Sequence, residues 1–412
     1  MAELMVFVES NTTGTGRLFA LRARELGLVP YLLSAEPERY PYVAELDLAH
    51  ARCRTDSVAA VVEACQALAG EHRIAGVMSS SDYFVATAAG VARALGLPGE
   101  DPQRLAAARD KSYQRQRFAE CGVGSPRFYR VGSVGEAVRA AVRLGWPVVV
   151  KPVSRSGSIG VRRCDTVAQV VAQVSQLLAT TVDERGNRLP AGILVESYLD
   201  GPEVSVELLG GQVCAVVSKR LDQSRGFLEV GHDVPAVLDA AVHTAVTTTA
   251  GQALAALGLG WGAAHVELRV VRDRAYVVEV NPRLAGGMIP QAIRAATGRD
   301  LIAELVAVSA GRQPVPRPAR CAYASIRFLV PDRDGEVASV PDPAAARSLP
   351  GVVEAVVTVR PGQTIVRQGN FLDRAGYVLA TGQTPQQAAA RAEQAVAALP
   401  VPMVPDRRMV AS

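Results

Sequence analysis

Residues 263–281 constrain the fold more tightly than any other stretch of this chain. They read AAHVELRVV, then RDR, then AYVVEVN: two alternating runs joined by three polar residues. Side chains along a strand point to opposite faces in turn. A connection this short permits only antiparallel pairing, because parallel strands need a long crossover. The pattern therefore predicts a hairpin with His265 and Glu267 opposite in facing to Val266 and Leu268, and Glu279 and Asn281 opposite to Val278 and Val280. Two carboxylates and an amide converge on one side. Like charges facing each other across strands are destabilising when nothing neutralises them, whereas hard oxygen donors on a rigid sheet suit Mg²⁺.

Two upstream segments add to this face. In ILVESYLDGPEVSVE (193–207) an extended run carries Glu196, turns at Asp200-Gly201-Pro202 and resumes with Glu203, Ser205 and Glu207 sharing one face. Standing alone, it reads as a solvated acidic face. In VVVKPVSRSGSIGV (148–161) a β run ends at Lys151 and enters a Ser/Gly loop. There Ser156, Gly157 and Ser158 allow backbone N–H groups and hydroxyls to approach an anion, although a plain hairpin turn has the same composition. No Gly-Lys pair occurs in the chain, so this is not a Walker A loop. Of the 44 basic residues only three are lysines, Lys111, Lys151 and Lys219. A compact ammonium differs from a planar guanidinium where charge must fit against a phosphate oxygen, so each lysine is a candidate.

The first hundred residues alternate apolar runs (LMVFV, VPYLLS, IAGVMSS) with helical patterns (RLFALRAREL, SVAAVVEACQALA), as a parallel α/β sheet does. The chain of 412 residues is long enough for two or three domains. The expected units are a parallel α/β domain over 1–100, a second over 101–310 with a strand-rich lid near 125–205, a proline-rich linker at 311–320 and an α+β unit over 321–412. The fold class is α/β with α+β. Six scattered cysteines without metal-like spacing suggest reduced thiols and a cytoplasmic protein. The N-terminus lacks a signal-peptide pattern. A net charge of +4 without a basic stretch interleaved with aromatics gives no footprint for nucleic acid. No apolar run reaches the roughly 18–20 residues of a membrane span.

In this order and spacing the segments resemble the ATP-grasp superfamily over about residues 100–310. Lys111 in ARDKSYQRQRFAECGVGSPRF matches its first nucleotide lysine and Lys151 in VVVKP its second. SRSGSIGV resembles its phosphate-covering loop, VESYLDGPE its adenine hinge and ribose glutamate, and E…EVNPR its metal pair with the following arginine. The resemblance implies an N-terminal parallel α/β domain, a central ATP-grasp lid and core, and a small C-terminal α+β domain. It also implies roles. Lys111, Lys151 and the loop Ser156–Gly157–Ser158 would meet the phosphates of ATP. Main-chain groups around Glu196, Ser197 and Leu199 would read adenine, and Glu203 the ribose. Glu267, Glu279 and Asn281 would hold two Mg²⁺ ions, and Arg283 would stabilise charge on the γ-phosphoryl group and on the tetrahedral species that follows.

Within that superfamily three features resemble the amide-ligase branch of L-amino-acid ligases (dipeptide synthetases) and related antibiotic-biosynthesis ligases. They are the H-V-E metal strand, the run NPRLAGGMIP, and the E-x-G-H arrangement in VSKRLDQSRGFLEVGHDVP (217–235). By this resemblance Glu229, His232, Gly286, Gly287 and Met288 line an amino-acid pocket, with Glu229 toward a substrate ammonium. His232 reads equally as a packing histidine, His265 as a support behind the metal site, and Lys219 as pocket or solvent. The implied reaction is ATP-dependent joining of a small carboxylic acid to an amine through an acylphosphate, forming an amide or dipeptide in specialised metabolism and releasing ADP and phosphate. Dimers are common in the family, so a homodimer is the matching expectation. Two other readings are a carboxylase of the biotin or purine type, using carboxyphosphate, and a non-catalytic nucleotide-binding protein. Finally, ESNTTGTG (9–16) looks like a glycine nucleotide loop, but Phe19 stands where a dinucleotide fingerprint needs Gly or Ala. It reads either as a strand-to-helix turn or as an edge of the substrate pocket.

Overall fold

The computed structural model describes residues 1–11, 15–183, 186–222, 224, 226–314, 319–320 and 322–405. Strands β1 (Glu3–Val8), β2 (Val29–Ser34), β3 (Ala49–Arg52) and β4 (Arg73–Met78) form a parallel sheet in the order β3-β2-β1-β4. Helices α1 (Thr15–Glu25), α2 (Tyr42–Glu45), α3 (Val58–Ala69) and α4 (Val85–Ala94) complete this unit. The inner strand β1 is buried from Leu4 to Val8, as a parallel strand covered on both faces must be. Strand β3 is AHAR, a mostly exposed edge strand without apolar alternation, and the sequence pattern did not reveal it.

Helices α5 (Pro102–Ala108) and α6 (Lys111–Glu120) lead into a lid. It contains β5 (Phe128–Val131), α7 (Val134–Leu144), β6 (Val148–Pro152), β7 (Arg162–Cys164), α8 (Val167–Ala179) and β8 (Ile193–Ser197). The four strands are antiparallel in the order β5-β8-β6-β7, and Ala137, Ala141 and Val170 pack with Val148, Val150 and Val195 in its core. The Ser and Thr residues before α7 and α8 cap them through Ser133 and Thr166.

The centre is built by β9 (Glu203–Leu209), β10 (Gln212–Asp222), β11 (Leu228–Val234), α9 (Ala240–Leu257), β12 (Ala263–Val271), β13 (Arg274–Asn281), α10 (Ile289–Thr297) and α11 (Leu301–Ser309). The C-terminal part adds β14 (Tyr323–Leu329), β15 (Gly335–Val337), α12 (Pro343–Arg347), β16 (Val352–Val357), β17 (Thr364–Ile365), β18 (Gly376–Gly382), α13 (Pro385–Ala397) and β19 (Met403–Val404). Its main strands extend the central sheet, which runs β13-β12-β9-β10-β11-β14-β18-β16 and is antiparallel throughout. Strands β17-β15-β19 form a small separate sheet. Within the expected linker, residues 315–318 lie outside the described residues. No helix among the described residues is long and apolar enough to cross a membrane.

The predicted hairpin is present as β12 and β13, with His265 opposite Asn281 and Glu267 opposite Glu279. Its loop is two residues, Arg272 and Asp273, both at positive φ as a primed hairpin turn requires. One detail departs from strict alternation. The register shifts between Glu267 and Leu268, so that Leu268 faces Val277 and Val278 is the extra residue. Val277 and Val280, rather than Val278 and Val280, are the buried pair. They join Val204, Val206, Val266 and Leu268 in the core shared with α9, leaving the polar side chains of β9, β12 and β13 on the opposite face.

Candidate active site

That polar face is the floor of a cavity of about 1270 Å³. The lid, the N-terminal sheet and the C-terminal strands contribute the walls. Sheet register sets the floor in rungs. Glu207, His265 and Asn281 face one another along the first, Ser205, Glu267 and Glu279 along the second, and Lys219, Glu203 and Arg269 along the third.

All three lysines of the chain are buried in this one cavity. Lys111 begins α6, which Asp110 caps; its Nζ donates to the Arg155 carbonyl at 2.6 Å and pairs with Glu279 at 2.9 Å. Lys151 on β6 pairs with Glu196 at 2.8 Å, and the fully buried Arg115 holds the same carboxylate at 2.7 Å. Burial pushes the Lys151 ammonium down to about 8 against the pull of Glu196. Burial also opposes ionisation of Glu196, but Arg115 and Lys151 keep it below the usual carboxylate range. Lys219 meets Glu203 at 3.0 Å, Glu229 at 2.5 Å and Glu267 at 3.2 Å. Against its burial, these carboxylates hold the ammonium well above its ordinary value.

His265 bridges Glu207 at 2.7 Å and Glu267 at 3.0 Å. Burial opposes its charge, yet Glu207 and then Glu267 raise it to about 9, so it is an imidazolium at neutral pH. A pKa raised on folding brings stability that is complete below the unfolded value of 6.5 and lost as pH climbs through about 9. The urea midpoint should therefore fall over that window, and fall less in His265→Gln. Superimposable pH profiles for the two proteins would contradict this.

The other residues singled out in the sequence lie around the floor as follows. Ser197 and Leu199 line the cavity where β8 ends, and the Leu199 carbonyl accepts from Arg269 at 2.8 Å. Glu203 is held by both Lys219 and Arg269. Gly157 and Ser158 take positive φ, and Gly157 lies so close to Phe371 that a Cβ would meet its ring at 2.3 Å. Arg283 approaches Asp82 at 3.5 Å, and Ser156 donates to the same aspartate at 2.6 Å. Gly286, Gly287 and Met288 also line the cavity, with Met288 and Gly287 at positive φ. His232 is fully buried, edge-on to Phe328 at 5.4 Å, and neither ring nitrogen has a hydrogen-bond partner among the described residues. Glu229 spends its two oxygens on Lys219 and Arg374, so in this arrangement a substrate ammonium would have to compete with two cations.

Three residues that line the site, Asp82, Phe371 and Arg374, and Arg115 behind Glu196 have no signature in the sequence. They reach it from an N-terminal loop, a helix and the C-terminal part. The opening loop joins them in part. Asn11 and Thr15 line the cavity and bond to each other, while residues 12–14 lie outside the described residues. The loop is anchored by Glu9, held at positive φ, which accepts from Ser34, Ala35, Tyr40 and Thr55.

The donor set suits a divalent cation that arrives with phosphates. Glu267 and Glu279 face each other and Asn281 follows, but both carboxylates are held by lysines. Among the described residues no group of three or more His, Cys, Asp or Glu is arranged as a self-sufficient cage. Mg²⁺ is commonly bound in this way, through one or two carboxylates with substrate phosphates completing its shell.

Comparison with known proteins gives three family matches: an ATP-grasp N-terminal domain over residues 21–99, an ATP-grasp domain over 144–291 and the L-amino acid ligase C-terminal domain 2 over 327–403. The chain is 33% identical to the protein y4rH of Sinorhizobium fredii, over 96% of this chain and 82% of that one. It is 27% identical to the alanine–anticapsin ligase of Bacillus subtilis over 56% of this chain, a match spanning about half (53%) of the ligase. Among solved structures, an L-amino acid ligase from Bacillus licheniformis superposes with a TM-score of 0.82 at 20% identity, covering 98% of this chain and 99% of that one.

Proposed function

Because the chain belongs to the ATP-grasp superfamily of ligases, we propose that it joins a small carboxylic acid, as an amino acid, to an amine at the expense of ATP. The observation that supports this most is the convergence of the only three lysines with Glu267, Glu279 and Asn281 in one cavity. Lys111 and Lys151 would exchange Glu279 and Glu196 for phosphate oxygens. Glu203 keeps acceptor capacity for ribose hydroxyls, since a carboxylate takes up to about four hydrogen bonds. Main chain at Ser197–Leu199 would read the adenine edge. Glu267, Glu279 and Asn281 would hold Mg²⁺, which supplies charge neutralisation on the phosphates.

Phosphoryl transfer needs positioning and charge stabilisation more than a protein nucleophile. Arg283, oriented by Asp82, would draw charge from the γ-phosphoryl group as the substrate carboxylate attacks it. ADP leaves, the amine then attacks the acyl carbon, and phosphate departs from the tetrahedral species. Ser156 also binds Asp82, so the covering loop and the arginine share one anchor.

The test is a phosphate-release screen that pairs amino acids as acids and amines, with products identified by mass. Amide or dipeptide formation with stoichiometric ADP and phosphate is expected. AMP and pyrophosphate in a single turnover would sink the acylphosphate route. ADP release that depends on bicarbonate and needs no amine would favour the carboxylase reading instead.

A further inference from the structure

We propose that Arg374 anchors the carboxylate of the amine-bearing substrate, which makes that substrate an amino acid rather than a simple amine; the inference rests on the ligase reading above. Arg374 follows the short turn Phe371–Asp373, whose buried Asp373 accepts from the Gln368 and Gly369 amides and fixes the loop. Its guanidinium lies over the Phe328 ring at 3.7 Å. Nε and Nη2 donate to the Glu229 carbonyl at 3.3 and 3.1 Å, and Nη2 also to the Glu229 carboxylate at 2.8 Å. Those bonds leave Nη1 without a partner among the described residues, on a side chain that lines the cavity.

Charge decides what that nitrogen can take. The acid substrate must place its carboxylate beside the phosphates, at the Glu267, Glu279 and Arg283 end, and there it is consumed. If that acid is an amino acid, the group it retains is an ammonium, which Arg374 repels. The amine attacks as a neutral nitrogen, so an amino acid in that role keeps only one lasting charge, its carboxylate. Arg374 is joined to the metal pair through Glu229, Lys219 and Glu267 in successive contact, which sets it near the reacting end without being part of it. The neighbouring His232 adds no competing charge, since burial lowers it to about 3 despite Glu229. A simple amine would leave Nη1 without an anion.

The experiment compares proteinogenic L-amino acids with their carboxamides as acceptors, at saturating ATP and a fixed acid, in the unmodified protein, Arg374→Gln and Arg374→Lys. A carboxamide cannot serve as the acid, so it reports on the acceptor alone. Loss of one charged hydrogen-bonded contact is about 10- to 100-fold in kcat/KM, so the acid should beat its amide by that factor in the unmodified protein. In Arg374→Gln the ratio should collapse toward one, and Arg374→Lys should keep part of it. An unmodified protein that uses both acceptors equally overturns the inference, and needs no variant to fold. So does Arg374→Gln with slower turnover but an unchanged ratio, the mark of a residue that only supports Glu229. If no pair releases ADP and phosphate, the ligase reading falls and takes this inference with it. Ligation that ignores the acceptor carboxylate removes the inference alone.

Discussion

Replacing Lys219 with methionine is expected to lower kcat/KM for ligation by at least about 10³-fold, more than loss of a single oxyanion donor does. The reason lies in what surrounds it. Its ammonium is nearly sealed from solvent and touches the carboxylates of Glu203, Glu229 and Glu267. These three sit at the proposed ribose, substrate and metal positions. Burial opposes the ionisation of Glu229 and Glu267, but Lys219 is foremost in holding both far below the usual carboxylate range. Methionine would fill the volume and leave three acids facing each other. Breaking a buried ion pair from one side costs about 3–5 kcal/mol, so the urea midpoint should fall as well. Arginine should not rescue it, because a flat fork cannot replace a compact ammonium among acceptors on three sides. Phosphate release and urea unfolding on Lys219→Met and Lys219→Arg check this. Activity within tenfold of the unmodified protein would refute it.

The second large effect concerns a residue that touches no expected ligand. Arg115→Met should destabilise the protein by about 3–5 kcal/mol, because a buried charge loses its partner. Arg115 is fully buried and binds Glu196 and the Val278 carbonyl, the latter at 2.5 Å. With Arg115 gone, Glu196 has only Lys151 left to neutralise it. That lysine would then be held harder against the carboxylate and given up less readily to phosphate, so KM for ATP should rise. Combining Arg115→Met with Glu196→Gln should recover much of the lost stability, since the orphaned charge is gone. Urea denaturation of the single and double variants, with ATP titration, measures both effects. Equal destabilisation in the two would show that the charge is not the cause.

The contrast between Lys219 and Arg115 shows what was legible in the chain. Alternation in AAHVELRVV and AYVVEVN placed Glu267 and Glu279 on one face, because period-two patterning is local and needs no partner to be read. The rarity of lysine marked three positions that turn out to share a cavity. The pattern could not show that Val278 is a bulge, since the register of two strands is set by side-chain packing of both. That bulge is where Arg115 finds its carbonyl. Asp82, Phe371 and Arg374 were invisible for a related reason: each meets its partner far along the chain, Ser156, Gly157 and Glu229 respectively. Strand β3 lacked any apolar signal, and no local pattern showed that β14 pairs with β11 and so extends the central sheet into the C-terminal part.

The concentration of lysine in the cavity also fixes how the protein meets amine chemistry. Its surface carries its positive charge as arginine, so reagents and modifying enzymes that acylate side-chain amines find substrates only at Lys111, Lys151 and Lys219. All three are buried and ion-paired. Acetylation of these side chains would be either absent or disruptive, and a lysine-specific protease would cut the protein only where the three buried lysines had come into the open. Such a protease becomes a reporter of cavity opening, and bound nucleotide should shield the very bonds it seeks.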